Sequence, residues 1–339
     1  MLLIDFFIKA DILYFGLYRH NKLRKETFIE LSLLLAQQII ALFLMMIVGF
    51  FLVKIQLLTV EDSDVLAKLV VYVFSPCVII QSFVNADYTK ETFAGLMVAI
   101  LGATVVHIIY ILLSKLGEIF LGLSNIEKAS LVYSNAGNLI IPLVTATLGE
   151  EWVFYSCAYI IVSTILFWSH GKSVICEEPH MELMKVIKNP NIIAIILGLI
   201  FFVTNYKLPS TIDTCTSSLG VMIGPASMMV IGMLIANMKL SSVFRNPRAY
   251  LISCGRLCLY PMITILVFCF SGILNLHQQA PQILLVTLLA AAAPCAANVT
   301  QVSQLYHKDA LYASALNVMS VIFCVITMPL MVAIYQILL

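Results

Sequence analysis

Ten stretches of this chain are apolar for long enough to cross a membrane, and no other feature restricts its fold as much. A spanning helix needs about 20 predominantly apolar residues, with a range of about 17–25. Read between charged punctuation, the stretches cover roughly 31–53, 64–84, 92–114, 128–148, 152–169, 190–206, 217–238, 249–273, 281–303 and 310–338. They could instead be core helices of a soluble protein, but the composition rules that out. The 339 residues are 61% hydrophobic and 11% charged, against about 45–50% and about 25% in soluble domains. The expectation is an all-α polytopic membrane protein.

The longest polar stretch, "HGKSVICEEPHMELMKVIKNP", leaves five spans on each side. An odd number of spans per half inserts the second half upside down if the halves are related. Spans two and seven each carry a central proline, Pro76 in "VFSPCVIIQSF" and Pro225 in "MIGPASMMVIGM", read as helix breaks. Spans four and nine are interrupted in corresponding places, "SNAGNLIIP" and "PCAANVTQ". The expected organisation is an N-terminal extension over 1–30, a five-helix unit over 31–170, a central loop over 171–189 and an inverted five-helix unit over 190–339. Lysine and arginine collect in the loops after odd-numbered spans, whereas the loops after even-numbered ones hold only Lys90 and Lys207. By the positive-inside rule the central loop is cytoplasmic and both termini lie outside. The basic residues before span one run against this, and an interfacial helix over 2–18 is expected there.

The interruptions are the chemically informative part. In hydrocarbon, backbone that leaves its helix survives only where protein or a water-filled cavity lines it. Gly137 loosens span four, Pro142 removes a donor, and Asn135 and Asn138 can pair the freed groups or a ligand. Pro294, Asn298, Thr300 and Gln301 offer the matching break in span nine. Secondary transporters place discontinuous helices in corresponding spans of two repeats to build a site at the membrane midplane. The plainer reading is that Asn and Thr only join helices, through hydrogen bonds of about 0.6–2 kcal/mol.

Arg256, in "LISCGRLCLYPMI", stands out as a charge deep in a span. It suits an anionic ligand, with snorkelling or pairing to helix C-terminal carbonyls as the alternatives. His107 in span three could relay a proton or simply pack. Glu118, Glu150, Glu151 and the "EDSD" run read as solvated loop charges. The nine cysteines are mostly in apolar runs and form no CxxC pair, so neither a metal nor a disulfide framework is expected. No phosphate loop, nucleophile elbow or HExxH is present, and no basic stripe for nucleic acid. The reading is neither an enzyme nor a nucleotide-driven pump, with no cofactor.

Three stretches resemble the auxin efflux carrier family of membrane transporters: "LVVYVFSPCVIIQSF" (69–83), "YSNAGNLIIPLV" (133–144) and "AAPCAANVTQVSQLYHKDALYASALNVMSVIFCVITMPL" (292–330). "GRLCLYPMI" is similar to the family's Arg-bearing eighth helix. The resemblance covers about 31–339. It implies a fold like that of bile-acid and sodium–proton transporters, with broken helices four and nine crossing and an elevator-like cycle. It also implies that Asn135, Gly137, Asn138, Pro142, Pro294 and Asn298 surround the substrate. Bacterial members are described as malate, malonate or other carboxylate permeases. The long hydrophilic loop and the Asn-Pro-Asn-Thr-Tyr motif of plant auxin carriers are missing, and Pro294-Cys295 stands where two prolines are common. The expectation is thus a carrier of a small organic anion, a mono- or dicarboxylate, in the cell (inner) membrane. Asn138, Asn298 and half-helix N–H groups would hold the carboxylate, and Arg256 would add charge directly or through water. Proton coupling and a homodimer are further expectations. The alternatives are a cation–proton antiporter, an indole-acid exporter, and a receptor or channel.

Overall fold

The computed structural model describes residues 37–38, 40–178, 183–236 and 244–339, and only the backbone of Gly137, Asn138 and Leu183. The N-terminal extension over 1–30, with its interfacial helix, lies outside the described residues. All regular structure among the described residues is helical: α1 (Ile40–Lys54), α2 (Asp62–Asn85), α3 (Lys90–Leu121), α4 (Asn125–Val132), α5 (Ile141–Thr147), α6 (Glu150–Cys176), α7 (Leu183–Ile187), α8 (Pro190–Thr204), α9 (Ser210–Ala236), α10 (Pro247–Phe270), α11 (Ala280–Ala291), α12 (Ala297–Leu305) and α13 (Ala310–Leu338). Six of these, α2, α3, α6, α9, α10 and α13, are long and apolar enough to cross a membrane. They coincide with six of the expected spans. Expected spans one and six are the shorter α1 and α8, and spans four and nine are each split in two.

The ends of these helices follow from local chemistry. Ser124 and Glu127 form a reciprocal capping box at the start of α4. Asn189 and Asn246 cap α8 and α10, each with a proline at the first helical position, where a missing N–H costs nothing. Gly122 ends α3 in the left-handed conformation, φ 59°.

Three prolines inside the spans share a signature, which Pro329 within α13 lacks. A π-helical turn ends two residues before Pro76, Pro142 and Pro261: Val70–Phe74, Ala136–Ile140 and Gly255–Leu259. A proline ring strikes the carbonyl four residues back, here Tyr72, Asn138 and Leu257, the middle of each π turn. The wider turn relieves that clash without ending the helix. Pro76 therefore marks a π turn within a continuous α2 rather than the expected break. Pro225 follows a turn at Met222 that interrupts α9.

Two groups of helices pack against each other. In the first, α2 lies between α8 and α9, and α1 crosses α9 at two glycines. A methyl on Gly49 would run into the Met229 carbonyl, and one on Gly232 into that of Met46. The second group comprises α3 to α6 and α10 to α13. At its centre α11 is buried on every side, with Ile283, Leu284, Val286, Leu288 and Leu289 among its core residues. A 12-residue helix can be apolar all round here because protein rather than lipid surrounds it. The groups meet where α2 packs on α6 and α9 on α5. Leu44, Phe51, Ile108, Leu112, Ile196, Ile200, Phe270 and Ile326 point outward, an apolar rim of the kind that faces lipid.

Candidate functional site

The two broken helices cross. Tyr133–Asn135, between α4 and α5, lies antiparallel to Pro294–Ala296, between α11 and α12, around an isolated bridge of Ser134 with Cys295. The Asn135 N–H donates to the Pro294 carbonyl at 2.9 Å, and the Ala296 N–H to the Tyr133 carbonyl at 3.0 Å. Unwound backbone in an apolar surround must pair its polar groups, and here each segment pairs the other's. Pro294 has no N–H to lose and contributes only its carbonyl.

Side chains from the neighbours complete the crossing. From α13, the Ser320 hydroxyl accepts the Cys295 N–H at 3.0 Å, and the Asn317 amide donates to the Cys295 carbonyl at 2.7 Å. From α6, Tyr159 accepts the Ser134 hydroxyl at 3.2 Å.

Arg256 sits on one side of the crossing, at the C-terminal ends of α4 and α11. It is 0% exposed. Its Nε donates to the Ala293 carbonyl at 3.1 Å and its Nη1 to the Leu131 carbonyl at 3.0 Å. Its guanidinium lies 5.5 Å from the centre of the Tyr110 ring, and Nη2 has no partner. The last carbonyls of a helix carry negative partial charge, so one cation here serves two half-helix C-termini at once. Of the roles open to it from sequence, this is pairing with C-terminal carbonyls. It lines neither of the cavities beside the crossing.

Those cavities lie on the other side, where α12 begins without a side-chain cap. The larger, about 350 Å³, is lined by Asn135, Asn298 and Gln301 together with Lys68, Asp64 and Asn191. The smaller, about 160 Å³, shares Asn135 and Gln301 and is otherwise mainly aliphatic: Val70, Val230, Ile231, Leu234, Ile235 and Val318 among others. Three of the expected site residues are thus brought together. Pro142 and Pro294 are buried in the frame, and Thr300, its hydroxyl without a partner, faces neither cavity. Gly137 and Asn138 lie in the π turn after the crossing; the Asn138 side chain is outside the described residues. His107 is fully buried, with Nδ1 2.7 Å from the Ala103 carbonyl, and it too stays away from both cavities.

Several residues that line or hold the site escaped the sequence reading. Lys68 and Asp64 form an ion pair of 2.6 Å one turn apart on α2, with side chains 64% and 69% exposed. Asp64 belongs to the run read as loop charges, and a Lys four residues on was the available signal. Asn191 accepts the Ser75 hydroxyl at 2.7 Å. Among the described residues no group of three or more His, Cys, Asp or Glu is placed to hold a metal ion.

The profile of a family described as "Membrane transport protein" matches residues 34–184 and 179–332. No curated protein matches the chain.

Proposed function

Because the chain belongs to the auxin efflux carrier family of membrane transport proteins, we propose that it is a secondary carrier of a small organic anion working by alternating access. The observation that carries this reading is the crossing of two unwound segments beside a cavity lined with amides. Asn135, Asn298 and Gln301 offer N–H donors there, and the start of α12 adds unpaired backbone N–H groups with the positive end of a helix dipole. The packing supports a cycle in which α3–α6 and α10–α13 move as one body against α1, α2, α8 and α9. Each group takes spans from both halves of the chain, as two inverted five-helix units would require. In this reading the central loop is cytoplasmic, the termini are external, and the protein resides in the cell membrane as a homodimer.

The linings favour a monocarboxylate over a dicarboxylate. Lys68 is the one cation among the described residues of the two linings, and Asp64 already neutralises it. A second carboxylate would find no further cation among the described residues of either lining, and a charge left unpaired there is costly. The same ion pair argues against a cation carrier, since the Asp64 carboxylate is occupied.

Counterflow in proteoliposomes tests this: labelled lactate or malate entering vesicles preloaded with the same unlabelled anion. Lactate exchange should exceed that of malate and fall at least tenfold in Asn135→Ala and Asn298→Ala, about 1.4 kcal/mol of lost binding or transition-state stabilisation. Silence with lactate, malate, malonate and indole-acetate alike, from folded protein, would overturn the organic-anion reading.

A further inference from the structure

The sequence ends span five at 169, but α6 continues through a π-helical turn, Phe167–Gly171, to Cys176. His170 is thereby carried onto a helix, half-buried, and its Nδ1 lies 2.9 Å from the Tyr133 hydroxyl. The same hydroxyl donates to the Leu166 carbonyl at 3.0 Å. Tyr133 belongs to the crossing, where its carbonyl accepts the Ala296 N–H, and it lines the larger cavity. Its ring rests against Gly171, where a methyl group would strike it.

A phenol has one proton to give. While Tyr133 donates to Leu166, its oxygen can only accept from His170, so Nδ1 must carry hydrogen. The imidazolium and the neutral ring with hydrogen on Nδ1 both meet this condition. In the neutral ring with hydrogen on Nε2, Tyr133 must turn its proton to Nδ1 and release Leu166. We propose that His170 is a proton site whose protonation state sets the crossing through Tyr133, making it a positioning residue for proton-linked transport. This rests on the carrier reading above. His107 fits the part less well, being fully enclosed and bonded to its own helix.

The charged groups around the turn are cations. Lys115 and Lys128 act on the His170 ring, and Lys128 is itself paired with Glu118 at 2.6 Å. On the flanking segments, Lys185 lies 4.7 Å from the Trp168 ring and Lys172 4.7 Å from that of Tyr306. No carboxylate faces His170 among these groups, so its imidazolium depends on the hydrogen bond to Tyr133.

Two measurements on the full chain test the proposal. Nitrogen-15 histidine spectra in nanodiscs, with the His170 signal assigned by His170→Gln, should show His170 titrating as pH is lowered. In Tyr133→Phe the midpoint should fall by about half a pH unit or more, since the bond that favours the charged form is gone. In vesicles, the ratio of lactate entry driven by an inward proton gradient to lactate counterflow should drop about fivefold or more in His170→Gln. An unmoved midpoint in Tyr133→Phe, or an unchanged ratio in His170→Gln, would overturn the proposal. Should wild-type protein show no lactate counterflow, the carrier reading for that anion fails, and the spectra alone decide the link between His170 and Tyr133.

Discussion

Arg256 shows how one side chain can be read two ways until its partners are known. As a substrate ligand it would face a cavity; in the structure it spans the carbonyls of Leu131 and Ala293 with no exposed surface. Hydrogen bonds from a charged donor contribute about 1.5–3 kcal/mol each. Arg256→Gln should therefore lower stability by on the order of 3 kcal/mol, read as a lower melting temperature in detergent without added substrate. Arg256→Lys, able to reach one carbonyl but not fork across two, should recover part of the loss. A ligand role predicts the reverse: an unchanged melting point and a weakened response to anions. Asn135, Asn298 and Gln301 were legible because an amide within an apolar run needs a reason to be there. Lys68 was not, since a charge near the start of a span looks like loop until a cavity is seen beside it. Nor were Asn317 and Ser320, because isolated polar residues are ordinary in a long membrane helix.

Among the elements, prolines account for much of what the sequence allows to be foreseen. A proline at 76, 142 or 261 announces a disturbed helix, but not that the disturbance takes the form of a π turn rather than a break. The choice is made by neighbours: at Pro76 and Pro261 the helix continues, while before Pro142 the opposing Pro294 segment offers the unwound backbone its bonds. Other ties come from residues far apart in the chain. Glu127, in the first turn of α4, receives Arg248 through Nε at 2.5 Å and Nη2 at 2.9 Å, and Tyr312 at 2.7 Å. These bonds join the start of α4 to those of α10 and α13, and Arg248 also reaches the Gly122 carbonyl at the end of α3, 2.8 Å away. Nothing in the sequence paired 127 with 248. Removing Arg248 leaves a nearly buried carboxylate short of its counter-ion, so Arg248→Ala should cost about 3 kcal/mol.

The same cluster fixes a pH response. Burial pushes the pKa of Glu127 up, but the bonds from Arg248, the Ser124 N–H and Tyr312 outweigh it, holding the carboxyl below its ordinary 4.5. In unfolded protein the group takes up its proton first as pH falls. Its contribution is thus complete above about pH 4.5 and drains away below it, down through the lowered value. Melting temperatures between about pH 3 and 6 should fall more steeply on the acid side for wild type than for Glu127→Gln; parallel curves would remove the cluster from the account.

For the molecule as a whole, hydropathy was enough to expect a polytopic helical protein, and the residues matched by the family profile make it a membrane transporter. The sequence left hidden how the helices sort. That α1 should lie on α9, backbone against backbone, rests on Gly49 and Gly232, two glycines nearly two hundred positions apart whose meeting no local pattern announces. That α11 should be central rather than lipid-facing follows only once α3, α6, α10 and α13 are seen around it. Both groupings converge on the crossing, and the proposed function depends on that crossing being real.

The crossing can be tested by cross-linking its two segments. Ser134 and Cys295 oppose each other as an antiparallel pair whose backbone bonds lie on the flanking residues. Such pairs have Cα atoms about 4.5 Å apart, within the range of about 4.4–6.8 Å that a disulfide spans. Ser134→Cys, with every cysteine but Cys295 replaced by alanine, should form the 134–295 disulfide on mild oxidation of protein in membranes, detected as a cross-linked peptide by mass spectrometry. Two free thiols in oxidised, folded protein would mean that the unwound segments do not meet, and the site built on them would fall with that result.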